Sequence, residues 1–177
     1  MASSLVLTLI GSDRPGLVER LSETIAAHEG SWLEGRMSHL AGRFAGILRV
    51  SVPEARIDAL IEALAELESD GLKVVSERGG EQAPAFHPVT LELVGADHAG
   101  IVRDVAAALA RDRVNVEELN TECIDAPMSG QKMFKATARL HLPPEVSLEE
   151  LRGELEGVAH DLMVDVTLGE PATVDHD

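Results

Sequence analysis

The stretch Gly11-Ser12-Asp13-Arg14-Pro15-Gly16-Leu17-Val18 returns in the second half of the chain as Gly95-Ala96-Asp97-His98-Ala99-Gly100-Ile101-Val102. Each copy follows an apolar run, at residues 5–10 and 89–94, and each opens a pattern of aliphatic residues at helical spacing. Each copy is therefore predicted to be a strand, a glycine-bounded turn and the start of a helix. Because the aliphatic positions after the two turns agree, the chain is predicted to contain two copies of one fold.

Composition favours two small domains in a reducing compartment. The chain has 177 residues, of which 45% are hydrophobic, and it is longer than a typical single domain of ~100–150 residues. The single cysteine, Cys123, excludes an internal disulfide and is typical of the cytosol; we expect it to be buried within its strand. We find no export signal and no apolar span of ~20 residues, so we expect a cytoplasmic location.

The charge balance disfavours direct contact with nucleic acid or with a membrane surface. Thirty-one acidic residues against 15 Lys and Arg give a formal net charge of −16. A charge of this sign repels phosphate backbones and anionic lipid headgroups. Neither is therefore expected as a partner.

The first domain is predicted to span residues 1–79 in the order β-α-β-β-α-β. Strands at residues 32–40 and 44–52 flank a turn at Ala41-Gly42-Arg43 and indicate a hairpin. The second helix is followed by a strand at residues 72–78. The apolar stripe of this helix consists of Ile57, Leu60, Ile61, Leu64 and Leu67.

The second domain is predicted to span residues 89–170, after a linker at residues 80–88 that is rich in glycine and proline. Its later strands are predicted at residues 116–124, 134–142 and 163–168, and Ser147 with Glu150 forms a capping box. Residues 171–177 are predicted to be a solvated tail. The fold class is α+β, with two ferredoxin-like domains whose antiparallel sheets carry both helices on one face.

The sequence lacks the residues that several other functions of this fold require. RNA readers need exposed aromatics and a basic periphery, but aromatic residues make up only 2% of the chain. The seven histidines include no pair at i, i+3 or i+4, so no metal site and no cofactor are expected. No Gly-x-Ser-x-Gly elbow or other nucleophile arrangement is present, and we expect no enzymatic activity and no catalytic residue.

The repeated turn has chemistry suited to a small zwitterion. The amides of a helix's first turn are unsatisfied donors at the positive end of the dipole and favour a carboxylate. Asp13 and Asp97 are able to cap the helix or to accept hydrogen bonds from an ammonium group. The alternative is that the glycines and aspartates are only turn and cap residues that join strand to helix compactly.

The motif Gly11-x-Asp13-Arg14-Pro15-Gly16-Leu17-Val18, followed by an aliphatic helix and a hairpin, resembles the signature of the ACT domain, an amino-acid-sensing module. Two copies without an attached catalytic domain are similar to the glycine cleavage system transcriptional repressor family; Arg36-Met37 and residues 114–119 carry this likeness. The resemblance implies an effector such as glycine or another small amino acid, and a DNA-binding regulator protein or a regulated enzyme as partner. We also expect a homodimer.

The candidate ligand-binding residues comprise both turns and Asn115, which lies just before a strand at a position that commonly meets the ligand in ACT domains. The turns depart from each other, since His98-Ala99 replaces Arg14-Pro15, and Trp32 is expected to stand where the second copy has Asn115. Asn115 is either a ligand contact or a turn residue, and Trp32 is expected to pack in a core or an interface. The candidates are Gly11, Ser12, Asp13, Gly16, Leu17, Val18, Gly95, Ala96, Asp97, Gly100, Ile101, Val102 and Asn115.

Three functions remain open from the sequence. The first is an amino-acid-responsive regulator that acts through a protein partner, as in a glycine cleavage system repressor. The second is a constitutive interaction module that binds a partner through uncovered sheet faces or edges without an effector. The third is an accessory subunit of an amino-acid or folate enzyme.

Overall fold

The computed structural model describes residues 2–79, 87–126 and 130–169. The chain divides into two compact units, Met1–Ala83 and Pro84–Asp177. The predicted linker residues 80–86 and the predicted tail at residues 171–177 lie outside the described residues.

The first unit has the predicted β-α-β-β-α-β order. Its sheet is antiparallel with the strand order β2-β3-β1-β4. Short 3-10 turns at Glu54–Arg56 and Leu67–Asp70 flank the second helix, so the predicted stripe continues through Leu67 outside the α-helix. The elements are β1 (Ala2–Ser12), α1 (Leu17–Ala27), β2 (Ser31–Leu40), β3 (Arg43–Pro53), α2 (Ile57–Glu66) and β4 (Leu72–Arg78).

The second unit repeats this order with the strand order β6-β7-β5-β8. The predicted capping box is present at its last helix, where Ser147 Oγ accepts from the Glu150 amide at 3.2 Å and the Glu150 carboxylate accepts from the Ser147 amide at 3.1 Å. The elements are β5 (His87–Ala96), α3 (Ile101–Arg111), β6 (Asn115–Asp125), β7 (Lys132–Leu142), α4 (Leu148–Leu162) and β8 (Val164–Gly169).

Alternation along the central strand builds each core. In β1, Leu5, Leu7 and Leu9 are at most 1% exposed and pack with the buried faces of α1 and α2, whereas Thr8 and Ile10 face solvent. Burial of one strand face and one helix stripe drives this two-layer arrangement. Both helices therefore cover the same face of the sheet, and the predicted ferredoxin-like α+β fold is confirmed.

Several bounds assigned from the sequence differ from those of the structure. Strand β5 begins at His87, so His87 and Pro88 belong to a strand rather than to the predicted linker. Arg43 belongs to β3 and not to the turn before it. Met163 ends α4 in a left-handed conformation with a φ of 53° and an exposure of 82%, so β8 begins one residue later than predicted. A single apolar residue between a helix and a strand carries no periodicity, so the sequence does not distinguish a helix C-cap from the first residue of the strand.

Candidate functional site

Two glycines hold each repeated turn against its sheet. A Cβ added to Gly11 would lie 2.6 Å from the carbonyl oxygen of Gly71, and one added to Gly95 would lie 2.4 Å from Val164 Cγ1. Both distances are shorter than any real contact, so the chain approaches its neighbour too closely for a side chain. The first glycine of each copy is therefore required by packing between the first and last strands of its unit.

The second glycine of each turn is the N-cap of the following helix. Gly16 and Gly100 have φ values of 89° and 104°, in the left-handed region that glycine adopts without strain. Their carbonyls accept from the amides of Arg20 at 3.0 Å and Asp104 at 2.9 Å. Since glycine has no side chain, neither helix has a side-chain bond at its N-cap.

The aspartates do not cap these helices at the N-cap position. Instead, the backbone amide of Asp13 donates to the Gly42 carbonyl at 3.0 Å, and that of Asp97 donates to the Lys132 carbonyl at 2.9 Å. Both side chains are exposed. The interpretation of these aspartates as N-caps is therefore wrong, and their carboxylates face solvent beside a helix N-terminus.

The residues that follow the turns divide between core and surface. Leu17 and Ile101 are buried and anchor the first helical turn to the core. Val18 and Val102 are each 45% exposed. Each site thus presents an apolar contact directly beside uncapped first-turn amides, an arrangement that accommodates a carboxylate attached to a short apolar group.

Polar anchors differ between the two turns. His98 Nε2 lies 2.9 Å from the Leu162 carbonyl oxygen, and its Nδ1 lies 3.2 Å from the Ala99 carbonyl oxygen. Hydrogen bonding to Leu162, and then to Ala99, raises the pKa of His98 because only the protonated ring donates from both nitrogens. In the first copy, this position is occupied by Arg14, whose guanidinium approaches Gly71.

Sequence reasoning missed an ion pair at the first turn of α3. Arg103 Nε donates to Asp104 Oδ1 at 2.7 Å, and this hydrogen bond lowers the pKa of the Asp104 carboxyl. Both side chains fold back toward Gly100. The exposed Arg103 and the half-buried Asp104 thus place charges of both signs beside the turn, and these complement the carboxylate and ammonium of a zwitterion. The sequence does contain a signal for this pair, since Arg103 and Asp104 follow Gly100 within one helical turn.

Asn115 is not brought to the turn within its own unit. It begins β6 after the C-terminus of α3, whose 11 residues extend about 16 Å away from Gly100 at ~1.5 Å per residue. Strand register also corrects its expected counterpart. Asn115 pairs with His141 in the second sheet, and Ser31 makes the equivalent pair with Ser51 in the first. The counterpart of Asn115 is therefore Ser31.

Trp32 therefore corresponds to Val116 and not to Asn115. Trp32 pairs with Val50, and Val116 pairs with Leu140, immediately before a bulge that both copies share. The side chain of Trp32 is 38% exposed and lies over Gly35, since a Cβ at Gly35 would be 3.4 Å from Trp32 Cζ2. It packs along the helix-facing side of β2.

A cleft of about 50 Å³ lies between α3 and β6 of the second unit, and the sequence did not indicate it. Its wall includes Ile101 and Val102 from the candidate site, so the cleft begins at the first turn of α3. Every lining side chain is apolar. The lining residues are Leu91, Leu93, Ile101, Val102, Val105, Ala106, Leu109, Val116, Leu119, Phe134, Ala136 and Ala138.

Other candidate chemistry is sparse in the described part of the chain. Cys123 is exposed on β6, which contradicts the expectation that it is buried, because β6 is an edge strand. Among the described residues, no three His, Cys, Asp or Glu side chains are grouped to hold a metal ion. Within the same ranges, none of the helices has the length and apolar character to span a bilayer.

Comparisons with known proteins bear on both units. Residues 3–75 match the family model of the ACT domain. The chain is 30% identical to an unknown protein from Galdieria sulphuraria whose crystal structure it matches with a TM-score of 0.83, covering 97% of this chain and 100% of that one. No curated protein sequence matches it.

Two further solved structures are similar at lower identity. A protein assigned as a glycine cleavage system transcriptional repressor matches with a TM-score of 0.72 and 18% identity, over 96% of this chain and 97% of that one. Formyltetrahydrofolate deformylase from Burkholderia mallei is 26% identical over 48% of this chain and 28% of its own length, but its TM-score of 0.40 is too low to support a functional comparison.

The family-model match covers nearly all of the first unit, and the second unit repeats the same strand order and the same glycine-bounded turn. The relative from Galdieria sulphuraria extends the likeness over both units. The chain therefore belongs to the ACT-domain family, as a protein with two ACT units in tandem.

Proposed function

We propose that this protein is an amino-acid-binding regulator and that the repeated turn is its effector site. The observation that carries the proposal is the uncapped helix N-terminus, present in both copies beside an exposed aspartate. First-turn amides bind a carboxylate, and Asp13 or Asp97 accepts from the ammonium group. The site needs no cofactor.

The proposal extends to a partner protein rather than to DNA. The fold shared with a protein assigned as a glycine cleavage system transcriptional repressor supports a role in transcriptional regulation. A formal net charge of −16 opposes direct contact with DNA. Effector binding would then shift an interface with a DNA-binding regulator or an enzyme in the cytoplasm, and the regulator would act as a homodimer.

A panel of amino acids tests the effector site. Thermal unfolding of the full chain should shift upward with at least one amino acid, since a ligand at about 100 times its dissociation constant stabilises the folded state by ~2.7 kcal/mol. Asp13→Asn combined with Asp97→Asn should reduce that shift, because each substitution removes an acceptor charge. The matched control is Asp58→Asn, which removes an exposed acidic charge from the first turn of α2.

A folded protein that responds to no amino acid would contradict the proposal. If the ligand shifts the unfolding temperature of the double variant and of Asp58→Asn equally, the binding site lies away from the repeated turn. Circular dichroism of each variant separates loss of binding from loss of folding.

A constitutive interaction module is a second candidate, favoured by the open face of the first sheet. Its central residues are apolar and partly exposed, with Ile47 and Val75 49% and 47% exposed. Exposed apolar patches of this kind mark interaction sites. Under this alternative, Ile47→Thr should weaken capture of a partner from cells, and added amino acids should leave capture unchanged.

A further inference from the structure

The cleft between α3 and β6 belongs to the same site as the turn, because Ile101 and Val102 contribute to both. We infer that this cleft receives the effector's side chain in the second unit and selects a small branched aliphatic amino acid: valine, leucine or isoleucine. The inference rests on the proposed function. It also departs from the expectation of glycine, which has no side chain to fill such a space.

Smaller residues on the sheet floor and on α3 open the cleft. Leu48 pairs with Leu7 in the first sheet, and Ala138 makes the equivalent pair with Leu91 in the second. An alanine in the second unit therefore replaces a leucine in the first. Val105 occupies the same helical position as Leu21. Each replacement removes methyl or methylene groups from the layer between helix and sheet. The second unit therefore has space where the first has side chains.

The edge strand contributes to the same difference. Met37 packs against the core of the first unit, and a Cβ at the facing Gly46 would lie 2.6 Å from Met37 Cγ. The corresponding position on β6 is Thr121, which pairs with Ala136 as Met37 pairs with Gly46. The long thioether that covers the floor of the first unit therefore has no counterpart in the second.

The lining excludes polar ligand side chains. All of the lining residues are aliphatic apart from Phe134, and none offers a side-chain hydrogen-bond partner. A hydroxyl or amide placed in the cleft would lose its bonds to water without replacement. Serine, threonine and asparagine are therefore disfavoured, and an aliphatic group gains from leaving water.

The volume of the cleft favours a small side chain on the ligand. The cleft holds about 50 Å³, whereas an engineered apolar cavity that binds benzene has about 150 Å³. An aromatic ring needs more enclosed space than this and is therefore disfavoured. A methyl group leaves part of the cleft empty, so branched groups of three or four carbons match it best.

Calorimetric titration of the full chain with leucine, isoleucine, valine, phenylalanine, serine and glycine tests the inference. At least one branched aliphatic amino acid should bind tenfold or more tightly than glycine or serine, since one methylene in an apolar pocket changes binding by roughly 10–200-fold. Ala138→Leu and Val105→Leu, which restore the first unit's residues, should each weaken that ligand tenfold or more. Leu21→Val is the matched control and should leave its affinity unchanged.

Each outcome decides between the two levels of the proposal. If glycine or serine binds as tightly as leucine, the side-chain inference is overturned while the proposed function stands. If the aliphatic ligand binds but neither leucine variant weakens it, the ligand lies elsewhere and the inference is again overturned. If no amino acid binds the folded protein, both fail. Using two filling variants, each checked by circular dichroism, keeps the test valid when one of them does not fold.

Discussion

The two units share a backbone and a turn but differ in the layer between the first helix and the edge strand. In the first unit, Leu21, Met37 and Leu48 belong to the core or pack against it. In the second, smaller residues leave a cleft of about 50 Å³. The path of the backbone therefore requires glycine at the turn positions of both copies. The side chains between helix and sheet can differ between the copies, because a change there alters the packed volume and not the path of the chain.

The sheet faces that the helices leave uncovered also differ: that of the first unit is the more apolar. On the first sheet, Ile47 and Val75 lie on either side of Thr8 and are about half exposed. The corresponding positions of the second sheet carry threonines. The first unit thus has the filled interior and the apolar outer face, and the second has the open interior and the polar outer face. The matched positions are Val6 with Thr90, Ile47 with Thr137, and Val75 with Thr167.

Leu48→Ala should have the largest effect, because it gives the first unit the second unit's residue at a core position. Leu48 is 1% exposed, and truncation of a buried leucine to alanine costs about 2–5 kcal/mol. Trp32 is the only tryptophan in the chain, so its fluorescence during urea unfolding reports the first unit. A loss below ~1 kcal/mol would mean that the first unit collapses around the space.

Gly95→Ala should destabilise the second unit by about 1–3 kcal/mol, since the new Cβ would lie 2.4 Å from Val164 Cγ1 and overpack the strand pair. Hydrogen exchange of β5 amides measures the change. Gly153→Ala in α4 is the control, because a Cβ there meets nothing within 4 Å. That control should be stabilising by up to ~1 kcal/mol, and a similar loss for both variants would refute the packing argument.

Ala138→Leu should stabilise the unliganded second unit modestly. At ~24 cal/mol per Å³ of cavity, filling a space of about 50 Å³ recovers on the order of 1 kcal/mol. Urea unfolding without ligand, followed by circular dichroism, gives the change in free energy. A loss of more than ~1 kcal/mol would show that the walls do not admit three additional carbons.

His98 should give the second unit a small pH dependence near neutral pH. Hydrogen bonds to the Leu162 and Ala99 carbonyls raise the folded-state pKa of His98 above its ordinary value of about 6.5. Its contribution is therefore fully present below pH ~6.5 and is lost as the pH rises through the raised folded-state value. The neighbouring Asp97 and Asp104 carboxylates act in the same direction.

Hydrogen exchange near the second turn at pH 5.5 and pH 8, corrected for the intrinsic exchange rate, measures this effect. His98→Gln should flatten the pH dependence in the second unit. An unchanged profile in that variant would assign the dependence to other groups.

Much of the fold was predictable because its signals are local. Alternation of Leu5, Leu7 and Leu9 indicated a strand, and the capping box at Ser147 marked the start of a helix. Repetition strengthened these assignments, since two independent copies gave the same order. Errors fell at element ends, as at His87 and Met163, where one or two residues carry no periodicity.

The candidate site was only partly predictable. The glycine-bounded turns were recognised, but the sequence did not show that Asn115 lies a helix length from the turn in its own unit. Exposure of Cys123 was missed because the sheet position of a strand is not encoded in the strand's own residues. The counterpart of Trp32 required strand register, which a one-residue shift in alignment obscures.

The sequence by itself determined the repeat, the order of strands and helices, and the glycines at which the chain must turn. These depend on local backbone preference and on periodic burial, which neighbouring residues express directly. Only the tertiary structure decided which side chains meet above the sheet, and therefore that the second unit has an apolar cleft where the first is filled. Packing volume depends on residues from β5, α3, β6 and β7 together. No single segment of the chain contains that information.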